Sequence, residues 1–142
     1  MNDAKRFKLD YWTNFVEYAS GNAEYKKLFV KNKPMAEHWY PVSMGSSEYH
    51  MSFGIKTAAE RTFIEIYIKD NKELFRTFFS HRQEIEKELG VQLNWLELPR
   101  KIASRIVLEC PAQVKDKEHW QEQFEWFVQM GNKFYKTFKK YA

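Results

Sequence analysis

A single cysteine, Cys110, stands among 142 residues, so the chain cannot close a disulfide on itself or assemble a thiolate zinc cluster. A lone thiol fits a reducing compartment, and a cytoplasmic setting is the expectation. Long apolar runs are also missing. Nothing approaches the roughly 20 residues of a membrane-spanning helix, and the opening "MNDAKRFKLD" lacks the apolar centre of a secretory leader. No membrane association is expected. Five glycines and four prolines are scattered rather than clustered, which leaves no flexible linker, and no internal repeat is visible. One domain spanning 1–142 is therefore expected, long enough to bury a core unaided. Charge of one sign is scarce too: 23 Lys and Arg against 19 Asp and Glu leave a net +4, which permits attraction to polyanions without arguing for it.

Rings and charges are what the chain has in plenty. Aromatic residues make up 18% and charged residues 30%, which predicts a ring-built core under a strongly solvated surface. Tyr11, Trp12, Phe15, Tyr18 and Ala19 share one face of a helix expected over about Ala4 to Ser20, stopped at Gly21-Asn22. A shorter helix over about Ala23 to Lys31 follows. Pro34 and Pro41 then make the stretch through His38, Trp39 and Tyr40 irregular or an edge strand, because proline cannot donate to a ladder.

Beyond Gly45-Ser46-Ser47 the period falls to two. "YHMSFGIKTAAERTFIEIYIK" reads as a hairpin with Ile64, Ile66 and Ile68 toward the core and Arg61, Phe63, Glu65, Tyr67 and Lys69 on the opposite face. Asp70 to Glu73 reads as a capping box, with Asp70 as the cap, opening one helix to about Leu89 whose buried stripe is Leu74, Phe75, Phe78, Phe79, Arg82, Ile85 and Leu89. Gly90 ends it. "QLNWLEL" and "ASRIVLE" are two further strands, joined through Pro99-Arg100-Lys101, which reads first as a turn. The second of them places Ser104, Ile106, Leu108 and Cys110 on one side and Arg105, Val107 and Glu109 on the other. A final helix from about Asp116 carries Trp120, Phe124, Phe127, Gly131, Phe134, Phe138 and Tyr141 at alternating spacings of four and three. A dimer seam would favour Leu or Ile at such positions, so packing across the chain's own sheet is the expected use of this stripe. The fold class is α+β, an antiparallel sheet of four to five strands packed by helices in the order α-α-β-β-β-α-β-β-α.

The reactive inventory is thin. His38, His50, His81 and His119 show no H-x-x-x-H or H-E-x-x-H spacing, so no metal and no cofactor are expected. Gly45-Ser46-Ser47 lacks the second glycine of a phosphate loop or nucleophile elbow. Asp70-x-Lys72 matches half of the acidic-x-Lys element of restriction-type nucleases, without the partner carboxylate that would hold Mg²⁺. Lys133, Lys136, Lys139 and Lys140 could bind phosphate, although cations at a helix C-terminus already complement the macrodipole. The candidate binding face is Arg61, Phe63, Glu65, Tyr67 and Lys69, with Arg105 and Lys56. Alternating rings and cations on an open sheet stack bases and neutralise phosphates. The competing expectation, and the favoured one, is that helices cover this face, pairing Glu65 with Arg61 or Arg105 and burying the rings.

The set "GSS…RTFIEIYIKDNKELF…EIEKELGVQLNWLELPRKIASRIVLE…HWQEQFEWF", with an amino-terminal "YW", resembles the bacterial and archaeal family known as domain of unknown function 4268. The resemblance runs from roughly Phe7 to Phe138. Its recurring elements match Trp12, Gly45, Arg61, Glu65, Tyr67, Ile85-Glu86, Gly90, Trp95, Arg105, Trp120 and Trp126. It implies no reaction. In longer relatives such a domain sits behind a restriction-type nuclease domain, which implies an accessory role. Three readings stay open: a module binding nucleic acid or a nuclease-like partner, an enzyme of unknown reaction using Glu65 with Arg61 and Arg105, and a structural or oligomerisation scaffold. The catalytic residues, if any, and the oligomeric state are not fixed by the sequence.

Overall fold

The two-residue repeat of isoleucines is the middle of a five-stranded sheet. The computed structural model describes residues 1–142 and contains β1 (Trp39–Ser43), β2 (Tyr49–Lys56), β3 (Arg61–Ile68), β4 (Asn94–Leu96) and β5 (Ser104–Pro111). They run β1-β2-β3-β5-β4, antiparallel at every step. The helices are α1 (Asp3–Ala19), α2 (Ala23–Leu28), α3 (Lys72–Ser80), α4 (Arg82–Leu89) and α5 (Trp120–Tyr141). The element order is the expected one, with the third helix divided in two.

That division is a correction. The cap is Asn71, whose side chain accepts from the Leu74 amide at 2.9 Å, and not Asp70. At His81 (φ −105°, ψ 17°) the backbone leaves helical geometry, and the turn swings Arg82 out of the predicted stripe. Arg82 is exposed and its guanidinium lies 4.3 Å from the centre of the Phe79 ring, itself 39% exposed. Phe75 and Phe78 on one side of the break and Ile85 and Leu89 on the other are buried. β4 is also shorter than the alternation suggested. Its flanking backbone is engaged elsewhere: the Leu93 amide donates to Glu86 Oε2 at 2.8 Å, and the carbonyls of Glu97 and Leu98 accept from Lys72 Nζ.

Helix α5 organises the layer above the sheet. Its stripe from Trp120 to Phe138 is buried, and Gly131 is the point of closest approach, since a Cβ there would lie 2.7 Å from Phe53 Cζ. Every other helix packs against α5. Tyr11 of α1 meets Trp120 and Phe124 edge to face at 5.0 and 5.1 Å between ring centres, and Phe15 meets Phe53 at 5.2 Å. All five helices therefore gather on the face that carries Met51, Phe53, Ile64, Ile66 and Ile106. The expectation that helices cover both faces fails: with every helix tied to α5, none is left for the opposite side.

Candidate functional site

Strand alternation fixes what the uncovered face presents. Antiparallel register sets Ser52 directly opposite Glu65 and His50 opposite Tyr67 across β2 and β3, and Tyr67 opposite Arg105 across β3 and β5. Trp39 joins from β1, two positions along the face from Pro41, which faces Ser52. With no helix above, these side chains partner one another or water.

The charged groups form two clusters. Glu65 Oε2 accepts from Arg105 Nε at 2.5 Å, one of the two pairings expected for that carboxylate. Glu109 takes Lys56 Nζ at 2.6 Å and Arg61 Nε at 2.7 Å, so Arg61 belongs to Glu109 and not to Glu65. Hydrogen bonds from these two cations hold the Glu109 carboxyl below the usual carboxylate range. Lys69, just past β3, is exposed and has no ion-pair partner. Four cations and two carboxylates leave the face positive.

Of the predicted rings, only one borders solvent. Phe63 is 7% exposed because its ring lies flat on Gly54, where a Cβ would come within 1.9 Å of Phe63 Cζ. Glycine is required there by the ring and not by backbone conformation. Tyr67 is half-buried, stacked at a tilt against His50 with ring centres 5.2 Å apart. Burial, and then the nearby Lys69 ammonium, lowers the His50 pKa from its ordinary value, so the imidazole is neutral at pH 7.

A hollow of about 320 Å³ opens here, lined by Trp39, His50, Ser52, Glu65 and Tyr67. Trp39, 46% exposed, also borders a second, mostly apolar hollow of about 720 Å³ toward Phe7, Ala58 and Phe63 with Lys8 and Lys56 at its edge. Sequence reasoning placed Glu65 and Tyr67 on this face but not Trp39, His50 and Ser52. The alternation of β2 places His50 and Ser52 on one face, yet only the hairpin register aligns that face with Glu65. Trp39 lay in a stretch with two prolines and no period.

Other motifs resolve into structure. Lys72 Nζ donates to the carbonyls of Glu97 (2.5 Å), Leu98 (3.0 Å) and Ala103 (2.9 Å) and lies 3.0 Å from Ser104 Oγ, so it staples the β4–β5 connection. Pro99-Arg100-Lys101 is that turn, with Leu98 at φ 55°. Gly45 (φ 73°) and Ser46 form the turn before β2, Ser46 Oγ accepting from the Glu48 amide. At the end of α5, Lys136 pairs with Glu24, Lys140 with Glu88 at 2.6 Å, and Lys139 donates to the Met44 carbonyl at 2.8 Å. Cys110 is half-buried, 3.5 Å from the Pro111 carbonyl. No helix is long and apolar enough to cross a membrane.

No curated protein and no solved structure matches the chain. A family model does match, over residues 7–142, and the chain belongs to the family it describes, a domain of unknown function (DUF4268).

Proposed function

We propose that this domain is an accessory module that binds single-stranded nucleic acid across the open sheet face, alongside a nuclease-like partner in longer assemblies. One observation carries the reading: Trp39 and Tyr67 stand uncovered among Lys56, Arg61, Lys69 and Arg105, with every helix on the other side. Cations neutralise phosphates and release counterions, while exposed rings stack on whatever bases pass. Single strands suit the face better than duplex. Bases in a duplex stack on each other, whereas the hollow beside Trp39 and Tyr67 accepts a planar group that is free to leave its neighbours. A reducing cytoplasm is the setting this reading assumes, and the unpaired Cys110 suits it.

The hollow at Glu65 also favours a second reading, an enzyme handling a small molecule there. Its proposed trio is not assembled, since Arg61 is engaged by Glu109 and only Arg105 reaches Glu65. The binding module is therefore the better account.

Fluorescence anisotropy with labelled single-stranded DNA, single-stranded RNA and duplex DNA tests it at low and near-physiological salt. The expected result is tighter binding of a single strand, with affinity falling steeply as salt rises, by about 0.7 log unit per log unit of salt for each phosphate neutralised. Arg105→Glu and, at the exposed Lys69, Lys69→Glu should each weaken it. No binding at low salt, or binding indifferent to both substitutions, would sink the reading.

A further inference from the structure

We infer that the hollow between Trp39 and Tyr67 is a guanine-reading slot, with Ser52 and Glu65 meeting the Watson–Crick edge of one base. The inference rests on the strand-binding reading above and adds a base preference to it. Ser52 and Glu65 are opposite partners in the β2–β3 ladder, so their Cβ atoms are about 5 Å apart, comparable to the width of a base edge. The ring pair His50 and Tyr67 lies one step along the same face to one side of this polar row. Trp39, opposite Gly54, lies to the other. A planar base entering edge first meets the polar row between walls of rings.

The polar row has unmet hydrogen-bonding capacity. Ser52 is 2% exposed and its hydroxyl has no partner in the chain, although the residue lines the hollow. Glu65 is 9% exposed; Oε2 takes the Arg105 guanidinium and Oε1 takes no protein donor. The hydroxyl and the half-satisfied carboxylate both reach the hollow, where a ligand that bonds to them takes the place of water.

The chemistry of the row selects the base. An ionised carboxylate only accepts, and the hydroxyl beside it can donate. Guanine offers two adjacent donors, N1–H and the N2 amino group, next to the acceptor O6. Adenine would turn the lone pair of N1 toward the carboxylate. Cytosine and thymine each place two acceptors on the same edge and only one donor. Guanine alone supplies two donors to Glu65, one to the free Oε1 and one to the remaining lone pair of Oε2, and an acceptor to Ser52, while Arg105 holds the carboxylate in place through Oε2.

Short oligothymidines carrying one central guanine, inosine, adenine or thymine, measured by anisotropy at moderate salt, provide the test. The guanine strand should bind about tenfold tighter than the adenine and thymine strands. Inosine, which lacks the N2 amino group, should fall between. Glu65→Gln should collapse the guanine-to-thymine ratio to about one, and Ser52→Ala should reduce it, each in protein shown folded by its NMR spectrum. Four strands bound equally by the natural chain would overturn the guanine slot while leaving strand binding intact. Failure of all four strands to bind would remove the strand-binding reading and the slot with it. A preference for guanine that survives both substitutions would also overturn the slot, by locating the preference elsewhere.

Discussion

Glu65 and Arg105 meet across the β3–β5 ladder at 2.5 Å, Oε2 to Nε, on a face that no helix covers. The carboxylate side chain is 11% exposed and the guanidinium 34%. This asymmetry predicts unequal effects. Arg105→Met strands a mostly buried carboxylate and should lower unfolding free energy by about 1–3 kcal/mol. Glu65→Gln leaves a guanidinium that reaches water and should cost less. Urea denaturation of both singles and the double variant checks this, and equal effects of the two would contradict the asymmetry.

Gly54 and Phe63 form a second coupled pair. Gly54→Ala places a methyl group where the Phe63 ring lies, 1.9 Å from Cζ, and the ring must lift off the sheet. A destabilisation of about 1–3 kcal/mol is expected from overpacking. Phe63→Leu in the Gly54→Ala background should recover part of it. A Gly54→Ala protein with unchanged Tm would show that the ring moves freely.

Lys72 acts on the β4–β5 connection. Its ammonium holds three backbone carbonyls that would otherwise have to find water. Lys72→Met should destabilise by about 1–3 kcal/mol and should raise hydrogen exchange locally, with the Lys101 amide, bonded to the Leu98 carbonyl at 2.8 Å, exchanging faster. Uniform protection in that turn after the substitution would leave the staple without a role.

Two groups tie stability to pH. His50 has a lowered folded pKa through burial and Lys69, so its contribution is present above the ordinary histidine value of about 6.5 and is lost as pH falls toward the folded value. Glu109 has a lowered carboxylate pKa through Lys56 and Arg61; its contribution is present above about 4.3 and is lost as pH falls further. Thermal unfolding followed down the pH scale should show both losses. NMR should place the His50 midpoint below 6.5, and Lys69→Met should raise it. A midpoint unmoved by that substitution would leave burial as the sole cause.

Much of the fold was legible because its signals are periodic. Ile64, Ile66 and Ile68 and the Trp120-to-Phe138 stripe are repeats that local geometry turns directly into buried faces. The break at His81 and the shortness of β4 were not, because each depends on a distant partner: α4 must bring Glu86 to Leu93 and Trp95, and Lys72 must reach carbonyls more than twenty residues away. The site was half legible for the same reason. Glu65, Tyr67 and Arg105 share the strand period, whereas Trp39, His50 and Ser52 join them only through the β1–β2–β3 register. Phe63 is buried, as the favoured reading expected, but by Gly54 on the neighbouring strand and not by a covering helix. The missing second helical layer follows from all helices packing around α5, which no local pattern reports.

Chemical-shift mapping on the isotope-labelled protein, titrated with a short single-stranded oligonucleotide, tests the open face most directly. The account predicts that the shifted amides cluster at Trp39, His50, Ser52, Glu65, Tyr67 and Arg105 while the lysine-rich end of α5 stays unmoved. Shifts centred on Lys133 and Lys136, or no shifts at a concentration where the protein is folded, would contradict it.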